Sequence, residues 1–200
     1  MDELSYLSRP PRRSPSTLLG DLHGLNRQFV ALMLQSDTPK TTAGLDDCQR
    51  ETLSSLDDDQ LERLATCPYS LFDVSFADAS TWRHELALAQ DPLDARLDVV
   101  SPAAGTFVLA TLLYTRQLCQ HHDDMARLLL GMTEEVVRIL ASPSLSALTA
   151  CAFSGRPPLT AKLASHPHFW SDLMDFVRDG TRERHLAAHT LGVQHSAAKF

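Results

Sequence analysis

The chain has 200 residues, of which 44% are hydrophobic, and a formal net charge of −7. This composition supports a hydrophobic core and argues against wholesale disorder. Residues 1–100 carry 9 basic and 17 acidic side chains (9 − 17 = −8), whereas residues 101–200 carry 9 and 8 (9 − 8 = +1). Because an acidic half repels phosphate backbones, the charge favours protein or small-molecule partners over broad nucleic-acid binding.

The sequence predicts a cytoplasmic protein. The apolar run Phe107–Tyr114 is far too short to cross a bilayer, and the start of the chain lacks the basic-then-apolar order of a signal peptide. The four cysteines are scattered without a C-x-x-C pair, so we expect neither a disulfide framework nor a zinc site.

The first hundred residues predict an arm followed by a helical unit. Three prolines and three arginines within residues 1–16 predict a flexible basic arm. Residues 17–100 then form the first helical unit, which starts with an amphipathic helix from Ser16 to about Gln35. Two short helices follow, Asp46–Leu53 and Asp58–Ala65, then an extended segment or tight apolar turn, and then a helix that carries Trp82.

Residues 101–200 predict a second helical unit after a proline-bounded linker, 91–102. Its first element is a long central helix of strong helix formers. The predicted helices are Ala103–Leu130, Thr133–Ala141, Ser144–Phe153, one that begins near His166, and a C-terminal helix Thr181–Val193. The expected fold is therefore all-α, a helical bundle of two related units that can pack as one domain.

The two units share a pattern that indicates duplication. An offset of 87 residues sets Gly44 on Gly131, and an offset of 88 sets Trp82 on Trp170, the only two tryptophans in the chain. We predict that 44–86 and 131–174 superpose, and that each tryptophan packs back on the two short helices of its own unit.

Two stretches resemble the FlhD family of flagellar transcriptional regulators. The run LLLGMTEEVVRILASPSLSALTACA at 128–152 resembles the Leu-Gly start, paired glutamates and two short helices of that family's signature. LERLATCPYSLFDVSF at 61–76 resembles the apolar stretch that follows. The resemblance implies a helical regulatory protein without catalytic activity that acts through dimerisation and a partner subunit.

Aromatic side chains are the candidates for partner binding, because aromatic residues dominate interface hot spots. The alternative for each is core packing. We expect Trp82 to be core and Trp170 to be an interface residue. The partner-binding candidates are Phe72, Phe76, Phe169 and Trp170.

The paired short helices also resemble a helix-turn-helix, which needs basic or amide side chains on its recognition helix. The second helix of the first pair is acidic, and that of the second pair is uncharged. Direct base recognition is therefore disfavoured. The better nucleic-acid candidates are Arg178, Arg182 and Arg184.

A metal site is the alternative from a different class. Cys119, His122 and Asp123 would share one face of the long helix, and a His-Asp pair on a helix resembles the signature of HD-type phosphohydrolases. His185 and His189 have the four-residue spacing of two metal ligands on one helix face, but Leu186 occupies the position at which a zincin has its glutamate. The solvated face of a helix is the simpler interpretation of both clusters, so we expect no metal and no cofactor.

The sequence as a whole predicts a non-enzymatic regulatory or adaptor protein that contacts another protein, which can be a second copy of the chain. We expect nucleic acid to be contacted indirectly if at all, and we expect no contact with a membrane. The alternatives are a metal-dependent phosphohydrolase centred on His122 and Asp123, and a helix-turn-helix DNA-binding protein.

Overall fold

The computed structural model describes residues 13–35, 44–89, 101–156 and 158–180, together with positions 190 and 192. These residues form nine α-helices and a single two-stranded sheet, which confirms the predicted all-α class. The elements are α1 (Pro15–Met33), α2 (Asp47–Ser54), α3 (Asp58–Ala65), β1 (Phe72–Asp73), α4 (Ala79–Leu88), α5 (Pro102–His121), α6 (Asp123–Leu130), α7 (Glu134–Leu140), α8 (Leu145–Phe153), β2 (Thr160–Ala161) and α9 (Phe169–Asp179).

Helix α1 begins at Pro15, within the segment 1–16 that was predicted to be a flexible arm. Ser14 accepts a hydrogen bond from the backbone N–H of Thr17, and Pro15 occupies the first helical position, where its missing N–H costs nothing. Residues 1–12 of the arm, residues 91–100 of the linker and residues 181–189 lie outside the described residues. Thr190 and Gly192, within the predicted C-terminal helix, are helical.

The four short helices begin where their caps predict. Asp46 and Gln49 form a capping box at the start of α2, and Asp57 and Gln60 form another at the start of α3. In the second pair, a hydroxyl side chain caps each helix, at Thr133 and Ser144. These helices start within one residue of their predicted positions because the cap residues satisfy backbone N–H groups locally.

The prediction of one long central helix is wrong, because the helix is interrupted at His122. This residue has φ −150° and ψ 57°, outside the helical region, and it separates α5 from α6. Asp123 and Asp124 lie in the first turn of α6, where negative charge is favourable at a helix N-terminus. The break allows α6 to contact both α5 and α7 instead of projecting as one rod.

The small sheet lies in the centre of the core. Phe72 of β1 pairs with Ala161 of β2, and Asp73 pairs with Thr160, in antiparallel order. The Phe72 ring is fully buried, and its centroid lies 5.1 Å from that of Phe107 in an edge-to-face contact. The predicted extended segment after Cys67 is therefore strand β1, whereas its partner β2 was not predicted.

The first half of the described chain, residues 13–89, and the second half, residues 101–180, exchange their last helices. Helix α4 of the first half packs on α7 and α8 of the second half. Helix α9 of the second half packs on α2 and α3 of the first half. The expectation that each tryptophan packs on the short helices of its own unit is therefore wrong. The helix order of the two repeats is the same, and their superposition stays a prediction.

Candidate protein-binding face

The four aromatic residues predicted to bind a partner belong to the core. Phe72, Phe76, Phe169 and Trp170 are each 0% exposed, as is Trp82. The indole N–H of Trp170 donates to the backbone oxygen of Lys162 at 2.8 Å, and that of Trp82 donates to Ser75 at 3.1 Å. The prediction of an interface role is wrong because these rings are fully buried and therefore not accessible to a partner.

The structure does not assemble the metal site of the alternative hypothesis. Since the helix breaks at His122, Cys119 and Asp123 lie on different helices and share no helical face. Among the described residues, no group of three His, Cys, Asp or Glu side chains lies close enough to hold a metal ion. His185 and His189 lie outside the described residues.

The predicted nucleic-acid residues are only partly described. Arg178 is in the last turn of α9, and its guanidinium donates to the Ser55 hydroxyl of the first half at 2.8 Å. Arg182 and Arg184 lie outside the described residues. The outer face of α3 exposes Asp58, Asp59 and Glu62, so this helix presents negative charge to any approaching phosphate backbone.

Asn26 on α1 is a buried polar residue that the sequence analysis missed. Its amide nitrogen lies 3.0 Å from the backbone oxygen of Tyr69, 3.2 Å from that of Ala65 and 3.4 Å from that of Cys67. Its amide oxygen accepts the backbone N–H of Leu71 at 2.9 Å. Asn26 therefore holds the irregular segment that leads into β1. The available signal was its position on the same helical face as Leu22.

Lys162 is a second buried polar residue, only 3% exposed, and follows β2 directly. Its Nζ donates to the Ser70 hydroxyl at 3.3 Å and to the Leu130 backbone oxygen at 3.4 Å. It also lies 5.9 Å from the centroid of the Tyr69 ring. Its contacts join the two halves, because Ser70 and Tyr69 belong to the first half.

Three of the four thiols are shielded from reaction. Burial raises the pKa of Cys67 and of Cys119 to about 12, and that of Cys151 to about 11. Since the thiolate is the nucleophile, these groups are inert near neutral pH. Cys48, which is exposed, is the accessible thiol.

Helix α8 presents an exposed face without charge. Leu145 is 57% exposed, the highest value among the large hydrophobic side chains found exposed in the described residues. Residues 139–155 contain no charged side chain and no histidine. The Thr149 hydroxyl donates to the Leu145 backbone oxygen at 2.9 Å, and the Ser144 and Ser146 hydroxyls are hydrogen-bonded to each other at 2.9 Å. The face therefore offers apolar surface and hydroxyls that are already hydrogen-bonded.

Two grooves border α1 and have different chemistry. One, of about 410 Å³, lies between α1 and α5 and is lined partly by the ion pair of Arg13 and Asp21, whose nitrogen and oxygen are 2.6 Å apart. The other, of about 260 Å³, lies between α1 and α3, beside Leu34 and Glu62. Both mix apolar and charged groups, which distinguishes them from the uniformly uncharged face of α8.

No single helix among the described residues is long and apolar enough to span a membrane. Helices α7 and α8 have the length and composition of a span only when taken together, and a bend of 113° separates them. Comparison with protein-family models, curated proteins and solved structures found no match.

Proposed function

We propose that this chain is a cytoplasmic, non-enzymatic regulatory or adaptor protein that binds another protein through the exposed face of α8. The observation that carries the proposal is Leu145, a leucine that is 57% exposed on a helix without charge. Single exposed leucines are ordinary on protein surfaces, whereas a whole uncharged helix face is typical of the centre of an interface.

The chemistry of the partner follows from this face. Because α8 carries neither basic nor acidic groups, electrostatic attraction contributes little, and the partner must supply an apolar surface of its own. The resemblance to FlhD suggests a subunit of a transcriptional regulator as that partner. DNA would then be contacted mainly by the partner subunit, since α3 is acidic and α8 is neutral.

A pair of variants tests this proposal. Leu145→Asp places a charge on this face at the first residue of α8, and Asp59→Ser changes an exposed position on α3. Both sites are exposed, so both variants should keep the wild-type melting temperature. A partner captured by the wild-type chain and identified by mass spectrometry should be lost with Leu145→Asp and retained with Asp59→Ser. Equal capture by both variants contradicts a role for α8.

The phosphohydrolase alternative is tested separately by metal analysis of the purified protein. A stoichiometric metal that disappears in His122→Ala would overturn the non-enzymatic proposal. The DNA-binding alternative requires tight, salt-sensitive binding of the purified chain to a defined duplex.

A further inference from the structure

Three of the four pairs of equivalent helices begin at the same separation in the two halves, whereas the fourth pair, α4 and α9, begins 90 positions apart (169 − 79). The first residues of α1 and α5 are 87 positions apart (102 − 15), as are those of α2 and α7 (134 − 47) and those of α3 and α8 (145 − 58). Both α1 and α5 have a serine N-cap followed by proline at the first helical position. The correspondence therefore extends beyond the repeat seen in the sequence to the helices that precede it.

The two strands of the sheet occupy equivalent positions in the two halves, and they pair with each other. Phe72 and Thr160 are equivalent at a separation of 88 (160 − 72), as are Asp73 and Ala161 (161 − 73). The observed pairing joins Phe72 to Ala161 and Asp73 to Thr160, so exchanging the two halves leaves the pairing unchanged. This is the pattern that a two-fold axis produces in a symmetric dimer, where the same patch meets itself.

A backbone feature beside the strands repeats at the same separation. Ser75 and Leu163, also 88 residues apart (163 − 75), have φ values of 57° and 55°, in the left-handed region that few side chains adopt. Chance would not be expected to place this unfavourable conformation two residues after the end of both strands.

The exchange of last helices is reciprocal and is fixed by polar contacts between the halves. Arg63 on α3 donates to the backbone oxygen of Val177 on α9 at 2.6 Å. Arg83 on α4 forms an ion pair with Glu135 on α7. The peptide N–H of Ser70 donates to Leu129 of the second half at 2.8 Å. Each half thus lacks a helix of its own at the place where the other half supplies one.

From these observations we infer that the chain is a covalently joined pseudo-dimer, whose halves recognise each other as two subunits would. The surface that each half uses comprises its long first helix, its β-strand and its pair of short helices, and the partner that fits it is the other half. Joining the two halves in one chain raises their effective concentration. This inference is independent of the proposed function of α8.

The test uses the full chain with a specific protease site inserted between residues 90 and 100 and cleaved after folding. The two fragments should elute together at the mass of the uncut chain. Their melting temperature should rise with protein concentration, because unfolding then separates two molecules. Fragments that elute separately in native buffer, or a melting temperature independent of concentration, would overturn the inference.

A matched pair of arginine variants in the cleaved chain identifies the interface. Arg63→Ala removes the contact with Val177 and should raise the dissociation constant of the fragments roughly tenfold or more, the effect expected for a hydrogen bond from a charged group. Arg138→Ala is the control, because this exposed arginine pairs with Glu134 on its own helix. An equal effect of the two substitutions would contradict the assigned contact between the halves.

Discussion

Replacement of Asn26 by alanine is the most informative test of how the core is held. Asn26 is 0% exposed, and the substitution leaves the Leu71 N–H without its side-chain acceptor. An unsatisfied buried N–H costs roughly 1–3 kcal/mol, and loss of the best donated bond, to Tyr69, adds about 1 kcal/mol. We therefore expect a loss of about 3 kcal/mol in the free energy of unfolding, a large part of the roughly 5–15 kcal/mol typical of a domain.

Urea unfolding followed by tryptophan fluorescence measures this loss, provided that the m-value stays constant. Gln28→Ala is the matched control, because it removes an exposed amide from the same helix and should change stability by less than about 0.5 kcal/mol. A loss below about 1 kcal/mol for Asn26→Ala would refute the assignment of this residue as the anchor of the segment before β1.

Asn26→Asp separates the donated bonds from the accepted one. The carboxylate can still accept the Leu71 N–H but cannot donate to the three backbone oxygens. Burial raises the pKa of the new carboxyl above its unfolded value of about 3.9. The variant should therefore be relatively more stable at pH 4 than at pH 7, since the protonated form is favoured in the folded state. Unfolding midpoints that differ from wild type by the same amount at both pH values would contradict this account.

Three further predictions follow from the packing. Trp82→Ala and Trp170→Ala should each cost roughly 3–5 kcal/mol in urea unfolding, and an unchanged midpoint for either would show that its ring is not core. Gly20→Ala should stabilise α1 by about 0.5–1 kcal/mol, because a Cβ there meets nothing within 4 Å. Gly105→Ala should destabilise, because its Cβ would lie 2.5 Å from a ring carbon of the half-buried Phe153; the same sign for both glycines would refute this contrast. Finally, Cys48 alone should react rapidly with a thiol reagent at pH 7, and all four thiols should react after denaturation; rapid labelling of a second thiol in the native protein would contradict the burial of the others.

The helix boundaries were the most predictable part of the fold. Asp57 and Ser144 cap the helices that follow them, and the cap acts on N–H groups only two or three residues away. The break at His122 was missed because no proline or glycine marks the change of direction. The signal in the sequence was the pair Asp123 and Asp124, whose charges favour a helix N-terminus. Helix propensity is a local preference that packing overrides at small cost.

The candidate site was less predictable than the fold. Phe72 and Trp170 are chemically suitable for either a core or an interface, and only their 0% exposure assigns them to the core. Leu145 could not be identified from periodicity, because apolar residues occur on all sides of α8. Lys162 could not be predicted as buried, since its hydrogen-bonding partners Ser70 and Leu130 are remote in sequence.

The sequence by itself determined the helical class, the caps and the approximate position of each short helix, because these depend on interactions between residues a few positions apart. The tertiary structure decided which helix packs against which, and therefore which apolar side chains remain exposed. An apolar helix face specifies only that it must be buried, and several partners can satisfy that requirement equally well. The choice between them depends on contacts such as that of Arg63 with Val177, which span 114 residues of the chain.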